Sequence, residues 1–245
     1  MAKNMLIAGA GWNLAGGPKN LAGGPNARST MLSESAKDGG CKYGTKAYWD
    51  SMYRGFGAAA DDGLPSDAYS WYSGWRELEP FWRELVPDDK ARVLVPGCGN
   101  DGTISALYDA GYRALTAFDY SADAVARARE LWGDRDIRLL CADATALPFD
   151  GSMPPFDAVL DKGALDAIGI CSKESLTEAV QELGRVTATG GLVVSVSRAL
   201  EADVLRGAFD GQGIWEEIRD GGIHICESGE VTTDLAASLY AWCRR

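Results

Sequence analysis

The sequence predicts an α/β protein built on a doubly wound, mostly parallel sheet of seven strands that ends in an antiparallel hairpin. From residue 91 onward, short apolar runs typical of buried strands alternate with segments of helical periodicity. A glycine-rich turn follows the first apolar run, and the last two runs have no helical segment between them. The alternation favours parallel strands joined by helices, and the last two runs favour a hairpin.

Seven apolar segments are predicted as strands. Helical segments lie between the first and second, the second and third, the fourth and fifth, and the fifth and sixth of these strands, and such alternation predicts a mostly parallel sheet. A polar stretch, residues 220–234, joins the last two. In chain order the predicted strands cover residues 91–95, 114–118, 137–141, 156–161, 192–196, 214–219 and 236–243.

Five segments with apolar residues at helical spacing are predicted as helices. Ser121 is typical of an N-cap for the third of them, and Gly190 with Gly191 is expected to close the fourth. The predicted helices cover residues 75–85, 103–110, 122–132, 173–188 and 201–208.

The charge balance argues against nucleic acid as the main partner. The chain carries 24 Lys and Arg residues against 35 Asp and Glu residues, a formal charge of −11. Phosphate binding needs a cationic surface, whereas a negative surface is compatible with a basic protein partner. No run of 18 apolar residues is present, so no membrane-spanning segment is expected.

Cysteine and histidine usage argues against a metal site. The six cysteines form no C-x-x-C pair, and the chain has a single histidine. Free thiols in a reducing compartment are expected instead, and the protein is predicted to be cytoplasmic.

The first 40 residues are predicted to lie outside the folded domain. They contain an imperfect tandem repeat, residues 13–19 and 20–26, rich in Gly, Pro and Asn. Such a stretch buries too little apolar area to offset the entropy of ordering it. We therefore expect residues 1–40 to be a flexible leader and residues 41–245 to form one domain.

A glycine-rich turn after the first strand predicts a cofactor that carries adenosine. Residues 97–102 match G-x-G-x-x-G between a strand and a helix, and Asp119 follows about 20 residues later. Glycines let a ligand approach the backbone, and a carboxylate at the end of the second strand accepts hydrogen bonds from ribose hydroxyls. These features alone fit a dinucleotide or S-adenosylmethionine equally well.

Two further observations favour S-adenosylmethionine. Asp143 follows the third strand, where its carboxylate can accept a hydrogen bond from an adenine amino group. A dehydrogenase would also need a proton-relay residue, and no convincing His or Tyr-x-x-x-Lys group is present.

The sequence resembles the seven-strand, class I S-adenosylmethionine-dependent methyltransferases. Within them it is similar to the lysine methyltransferases of eukaryotic translation elongation factor 1A. The resemblance runs from about Tyr43 to the C-terminus and implies a Rossmann-like methyltransferase fold. It rests on the motifs YWDSMY, YSWYSGW, VLVPGCGN, LYDAGY, FDYS, FDAVLDKGALDAI and ELGRV.

The resemblance also implies the residues that contact the cofactor. Aromatic side chains would form a wall at the methionine end, the glycine turn would face the methionine portion, and residues after later strands would hold ribose, adenine and the surroundings of the sulfonium. In chain order these residues are Trp49, Tyr53, Tyr69, Trp71, Gly97, Cys98, Gly99, Asn100, Asp119, Tyr120, Asp143, Ala144 and Lys162.

Asp161 is the predicted catalytic residue. A lysine nucleophile must lose its proton before it attacks, and Asp161, at the end of the fourth strand, can position the amine or accept its proton through water. Two other interpretations stay open, since Asp161 can cap the next helix or pair with Lys162. Asp166, five residues later, can bind substrate or simply lie in the first turn of a helix, where a carboxylate is favourable.

The predicted function is a protein-lysine N-methyltransferase acting on a translation elongation factor, with the protein acting as a monomer. The alternative is a small-molecule thiol or halide S-methyltransferase of the thiopurine type, because VPGCG at residues 95–99 is similar to those enzymes as well. A non-catalytic cofactor-binding protein is a third hypothesis. The intact set of glycines and acidic residues at the strand ends argues against it.

Overall fold

Seven strands form one mixed sheet in a computed structural model that describes residues 42–54, 70–225 and 237–245. The strand order across the sheet is β3-β2-β1-β4-β5-β7-β6. The strands are β1 (Val93–Pro96), β2 (Leu115–Asp119), β3 (Arg138–Cys141), β4 (Phe156–Lys162), β5 (Thr187–Ser197), β6 (Trp215–Ile225) and β7 (Ala237–Arg244).

Five parallel strands and an antiparallel pair confirm the predicted fold class. Strands β3, β2, β1, β4 and β5 pair in parallel, while β7 lies antiparallel between β5 and β6. The order reverses between β1 and β4, and open sheets of this kind bind ligands at the carboxyl ends of the strands beside such a reversal.

The described part of the chain contains seven α-helices and, at residues 42–44, one turn of 3-10 helix. Two predicted helices match to the residue, and two helices, at residues 46–53 and 164–171, are not among the five predicted segments. The helices are α1 (Lys46–Tyr53), α2 (Trp75–Leu85), α3 (Gly102–Asp109), α4 (Ala122–Trp132), α5 (Ala164–Cys171), α6 (Lys173–Val186) and α7 (Ala202–Asp210).

The predicted end of α6 is wrong. The helix stops at Val186, and β5 begins at once at Thr187 and runs through the two glycines that were expected to close the helix. Gly190 has a positive φ of 79° inside the strand, and the pairing of β4 with β5 shifts register there. The glycines therefore serve a strand irregularity, which is the other common use of glycine in extended chain.

Apolar side chains fill both faces of the sheet. On one face Trp82 of α2 packs against Tyr112, with ring centroids 6.0 Å apart. On the other face Phe209 of α7 stacks on Trp242 of β7, with centroids 3.8 Å apart and ring planes 2° from parallel. All four side chains are almost wholly buried, so both layers of helices are fixed to the sheet by large aromatic contacts.

The cysteines follow the prediction in part. Cys98, Cys141 and Cys243 are free thiols, as expected. Cys171 at the end of α5 is disulfide-bonded, so the expectation of free thiols is wrong for this residue.

Parts of the sequence analysis lie outside the described residues, namely the leader predicted for residues 1–40 and the predicted cofactor contact Tyr69. Within the residues that the structure describes, no helix is long and apolar enough to cross a membrane.

Tyr112 provides a test of the core. Its buried hydroxyl donates a 2.6 Å hydrogen bond to the Val86 carbonyl. We expect Tyr112→Phe to lower the free energy of unfolding by ~1–3 kcal/mol, because the carbonyl would be left buried without its partner. Urea unfolding measures the change.

A matched control is Tyr108→Phe. The Tyr108 hydroxyl only accepts a long, 3.4 Å bond from the exposed Asp136 amide, so its loss should change the stability by less than ~0.5 kcal/mol. Equal losses in the two variants would contradict the assigned role of the Tyr112 hydroxyl.

Candidate functional site

A cavity of about 290 Å³ opens where the carboxyl ends of β1, β2 and β4 meet. The turns that follow β1, β2, β3 and β4 form its floor, and α1 with the segment at residues 71–72 covers it. Its wall contains twelve of the thirteen predicted cofactor contacts, and the thirteenth, Tyr69, lies outside the described residues. Their part in binding stays a prediction, but the fold does bring them together.

The glycine turn has no room for side chains. Gly97 and Gly99 have positive φ values of 54° and 49°, which favour glycine. A Cβ atom on Gly97 would lie 2.6 Å from the Cβ of Ala164 in α5, and one on Gly99 would collide with the Tyr53 hydroxyl. The glycines thus allow α1 and α5 to approach the turn from two sides.

Asp119 joins the glycine turn to the turn after β2. Its carboxylate accepts hydrogen bonds from the Gly99 amide at 3.0 Å and from the Ser121 amide at 2.9 Å. Burial raises the pKa of Asp119 to about 6, against the lowering effect of these two hydrogen bonds. At pH 7 the group is mostly ionised, as a carboxylate that accepts ribose hydroxyls must be.

The turns after β2 and β3 form one end of the cavity. Tyr120 lies on its wall, and burial together with the Asp119 charge raises the pKa of its phenol. Asp143 accepts hydrogen bonds from the amide and hydroxyl of Thr145, at 2.9 and 2.8 Å, and so shapes the turn that also carries Ala144. This arrangement presents backbone and carboxylate groups where an adenine edge was predicted.

Aromatic side chains line the cavity, among them Trp49, Tyr53 and Trp71. Trp49 stacks on Tyr53 with ring centroids 5.9 Å apart and meets Trp71 edge-on at 5.8 Å. The Trp49 indole N–H donates to the Tyr43 carbonyl at 2.5 Å. Such a wall excludes water and can face a cation with the negative faces of its rings.

The end of α1 is tied to α4. Arg54, just past the helix, pairs with Asp123 in the first turn of α4, at 2.9 Å. At its other end α1 is capped by Thr45, whose hydroxyl accepts from the Tyr48 amide. Because a helix of eight residues is unstable in isolation, these contacts decide where the wall sits.

Lys162 lines the cavity with an ammonium group that is already fully engaged. Its Nζ lies 3.0 Å from Asp101 Oδ2, donates to the Thr103 hydroxyl at 2.8 Å and donates to the Ser73 carbonyl at 2.5 Å. An ammonium group has three N–H donors, so these contacts use all of them. Lys162 therefore fastens the segment at residues 70–73 to the start of α3, and its charge is offset by Asp101.

Asp161 does not reach the cavity surface. Its side chain has no exposed area and accepts hydrogen bonds from the Ala164 and Leu165 amides, at 3.0 and 3.1 Å, and from the Ser195 hydroxyl, at 2.5 Å. These are the contacts of the capping interpretation, since the two amides begin α5. Burial raises the pKa of Asp161 to about 7.

Sequence reasoning missed Tyr72, which lies on the cavity wall beside Trp71. Its φ of 65° is positive, and its hydroxyl donates to Asp166 at 2.7 Å. Asp166, considered in the sequence analysis as a substrate contact, also lines the cavity. No signal in the sequence separates Tyr72 from the aromatic residues around it.

The ionisable groups on the cavity wall have an excess of negative charge. The acidic groups are Asp101, Asp119, Asp143 and Asp166, and the basic group is Lys162. Aromatic side chains and several carboxylates around one cavity fit a cationic ligand better than an anionic one.

Comparisons with known proteins agree with this geometry. A methyltransferase domain family matches residues 94–195, the stretch that contains the glycine turn, Asp119, Asp143 and Asp161. The eEF1A lysine and N-terminal methyltransferase of Xenopus laevis is 35% identical over 182 residues, which are 71% of this chain and 24% of that protein. The chain is therefore similar to methyltransferases over about 70% of its length.

Further relatives agree on the group within that family. EEF1A lysine methyltransferase 4 of Bos taurus is 32% identical over 171 residues, 65% of this chain and 63% of that protein. The comparisons favour the elongation-factor group named in the sequence analysis over the thiol or halide alternative. The chain spans only about a quarter of the length of the first relatives that it matches.

A solved structure of similar fold is N-methyltransferase NodS from Bradyrhizobium japonicum in complex with S-adenosyl-L-homocysteine. It superposes with a TM-score of 0.51 at 16% identity, over 69% of this chain and 85% of that one. At this identity the likeness confirms the methyltransferase fold.

The ion pair between Lys162 and Asp101 on the cavity wall provides a second test. We expect Lys162→Met to lower the free energy of unfolding by ~3–5 kcal/mol, because Asp101 would stay largely buried without its counter-charge. The double variant Asp101→Asn with Lys162→Met should recover part of that loss. Chemical denaturation of both variants and the wild type measures the three values, and a single variant as stable as the wild type would refute the arrangement.

Asp161 provides a test with a defined pH dependence. An unfolded Asp titrates near ~3.9, whereas the folded carboxyl titrates near 7, so the folded state binds the extra proton in this interval. Its contribution to stability is therefore full below pH 4 and is lost as the pH rises through 7. Asn at this position keeps the hydrogen bonds and carries no charge.

We expect Asp161→Asn to gain stability relative to the wild type between pH 4 and 8, by up to ~4 kcal/mol at 1.36 kcal/mol per pKa unit. Urea unfolding at several pH values measures the difference. The control is Asp150→Asn. A hydrogen bond from Ser152 lowers the pKa of Asp150, so the group is fully ionised in both the folded and the unfolded state above about pH 5, and the difference between this variant and the wild type should stay constant from there to pH 8. A difference between Asp161→Asn and wild type that does not vary with pH would refute the raised pKa.

Proposed function

We propose that the protein is a protein-lysine N-methyltransferase that acts on a translation elongation factor of the 1A type. The observation that carries the proposal is the similarity to eEF1A lysine methyltransferases across about 70% of this chain. The negative, aromatic-walled cavity supports it, because a lysine side chain arrives as a cation and must lie beside another cation, the sulfonium.

The residues on the cavity wall fit S-adenosylmethionine. We propose that Asp119 accepts hydrogen bonds from the ribose hydroxyls and that Asp143 with Ala144 faces the adenine edge beside Tyr120. The positive-φ glycines leave a surface of bare backbone for the methionine portion. Cys98 has a buried thiol whose pKa is raised by burial, so it lines this surface as a neutral group. Asn100 completes the turn.

The aromatic wall is assigned to the reacting end of the cofactor. When bound, S-adenosylmethionine supplies a methyl group whose bond to sulfur breaks as a bond to the attacking nitrogen forms, with the electron pair staying on sulfur. Trp49, Tyr53 and Trp71 exclude water from this end and favour positive charge there. Most of the rate gain would come from alignment of the two reactants, which can supply ~7–11 kcal/mol.

The proton of the substrate amine must leave before methyl transfer. Burial among aromatic side chains lowers the pKa of a lysine from its usual value of ~10.4, because it disfavours the ammonium form. Asp161 has a suitable pKa for a proton acceptor, but it lies beneath the cavity wall and could act only through water. Retained activity in Asp161→Asn would assign Asp161 to the start of α5 alone.

The cellular setting is part of the proposal. Elongation factors work in the cytoplasm with the ribosome, so we propose a cytoplasmic enzyme that acts as a monomer on a protein substrate. Its net charge of −11 favours a basic docking surface on that substrate.

The test uses purified protein, S-adenosylmethionine with a labelled methyl group, and purified eukaryotic elongation factor 1A. We expect label on one lysine of the factor, located by mass spectrometry of peptides. Asp119→Ala should bind the cofactor at least tenfold more weakly, since the loss of a hydrogen bond to a charged group costs ~1.5–3 kcal/mol. Calorimetric titration measures that affinity.

Asp134→Ala is the matched control, because Asp134 is an exposed acidic residue away from the cavity. It should bind and transfer as the wild type does. Label confined to small molecules from a cell extract would overturn the substrate class. Cofactor binding without transfer to any acceptor would instead favour a non-catalytic role.

A further inference from the structure

We propose that Tyr72 is a catalytic residue that accepts a hydrogen bond from the substrate amine, and that Asp166 positions it by binding its hydroxyl hydrogen. The inference rests on the proposed lysine methyltransferase activity. Both side chains lie on the wall of the cofactor cavity.

The backbone at this place is adapted to the Tyr72 ring. Tyr72 is the one non-glycine residue with a positive φ among those that the structure describes. Such a conformation costs ~1–3 kcal/mol and persists where the surroundings impose it. The ring lies over Gly163, whose φ is 85° and whose Cβ, if present, would sit 2.9 Å from the ring. The positive φ values of Tyr72 and Gly163 together allow the Tyr72 ring to lie where it does.

Gly163 also places the ring near the reacting end of the cavity. It is followed by Ala164, which is the residue that closes over Gly97 in the glycine turn. Trp71, beside Tyr72 in the chain, meets its ring edge-on at 6.4 Å. The Tyr72 hydroxyl therefore lies in the same part of the cavity as the aromatic wall and the glycine turn.

Asp166 has its acceptor sites filled by the protein. Its side chain is 1% exposed and receives the Ser197 hydroxyl at 2.5 Å, the Arg198 and Ala199 amides at 2.8 Å each, and the Tyr72 hydroxyl at 2.7 Å. The two amides and the serine hold the carboxylate still. A substrate amine would contact the Tyr72 hydroxyl rather than the Asp166 carboxylate, because that hydroxyl is bound to Asp166 on the cavity wall.

The direction of the Tyr72 hydrogen bond decides what the substrate meets. A phenol has one hydrogen, and an ionised carboxylate can only accept, so that hydrogen points at Asp166. The phenol oxygen is left with its lone pairs for another donor. Burial and the charge of Asp166 raise the pKa of Tyr72 well above its usual value, so the phenol stays protonated and cannot take the proton of the amine.

An acceptor in this position suits an amine nucleophile. The neutral amine has two N–H groups and one lone pair, so an N–H held by the Tyr72 oxygen restricts where the lone pair points. As the nitrogen–carbon bond forms, the nitrogen becomes positive and its N–H groups become stronger donors. The contact is therefore stronger in the transition state than in the ground state, which raises kcat. The proton that the substrate ammonium group must lose before the attack goes to water.

The test is Tyr72→Phe, which keeps the ring over Gly163 and removes only the oxygen. We expect kcat for methyl transfer to the elongation factor to fall roughly 10- to 100-fold. Such a loss is typical when a hydrogen bond to a group that becomes charged in the transition state is removed. The affinity for S-adenosylmethionine, measured by calorimetric titration, should stay within twofold. Tyr112→Phe is the control, since it removes another buried phenol that donates to a main-chain acceptor away from the cavity.

The outcomes separate the two proposals. A wild-type enzyme that labels no lysine of the factor overturns the proposed function. A wild-type enzyme that does so, with Tyr72→Phe within twofold of its kcat, overturns only the role of Tyr72. An equal fall of kcat in Tyr72→Phe and Tyr112→Phe, or weakened cofactor binding with unchanged kcat, also overturns it. If Tyr72→Phe fails to fold, Tyr72→Met takes its place, because it also removes the phenol oxygen and keeps an apolar side chain over Gly163, with the same expected fall of kcat and unchanged cofactor affinity.

Discussion

The buried carboxylate of Asp119 holds two strand-end turns in one arrangement, and the cavity depends on that arrangement. It binds the amide of Gly99 on one side and the amide of Ser121 on the other. Gly99 can turn through a positive φ because it has no side chain, and Ser121 begins α4 through its hydroxyl contact with the Ala124 amide. The group is costly to bury in ionised form, as its raised pKa shows. Hydroxyl groups of a ligand could donate hydrogen bonds to the ionised carboxylate and so offset the free-energy cost of burying it. Binding of such a ligand would be favoured by that amount.

The roof of the cavity consists of two parts that are fixed differently. The segment at residues 70–73 is bound from below by polar contacts, since Ser70 donates to Asp101, Ser73 accepts from Lys162, and Tyr72 donates to Asp166. Helix α1 is held mainly by ring packing and by one partly exposed ion pair, Arg54 with Asp123. Exposed ion pairs contribute little, so α1 is the weaker part. Entry of a ligand would therefore displace α1 more readily than residues 70–73.

The sequence predicted the sheet better than it predicted the roof, for a physical reason. Buried strands and long amphipathic helices carry a strong periodic signal, and so α2 and α4 were bounded to the residue. Helix α1 was missed because it is only eight residues long and its aromatic residues, Tyr48, Trp49 and Tyr53, form no clear apolar face in the sequence. The end of α6 was misplaced because Gly190 can close a helix or bend a strand, and only the pairing of β4 with β5 decides between them. Local chemistry does not carry that information.

The same limit applies to individual side chains of the site. Asp161 and Lys162 are the last two residues of β4, and the resemblance to methyltransferases implied that both lie near the reacting end of a cofactor. The pleat of the strand instead directs Asp161 toward α5 and Ser195, on the opposite side from Lys162. Tyr72 could not be singled out, because its function depends on a φ value and on Asp166, which is 94 residues away in the chain.

The negative charge of the cavity attracts a cationic substrate but also opposes the loss of its proton, and the hydrogen bonds to the carboxylates reduce this opposition. Four carboxylates around a lysine amine would keep it protonated and so inactive as a nucleophile. All four, however, are engaged by donors from the protein. Lys162 binds Asp101, and two amides bind Asp119. The amide and hydroxyl of Thr145 bind Asp143, and two amides and two hydroxyls bind Asp166. Each engaged group keeps its charge but presents a weaker field to the amine, because fixed N–H and O–H dipoles and the ammonium lie against it. The cavity can thus attract two cations while still allowing one of them to lose a proton, which a site with four unengaged carboxylates would prevent.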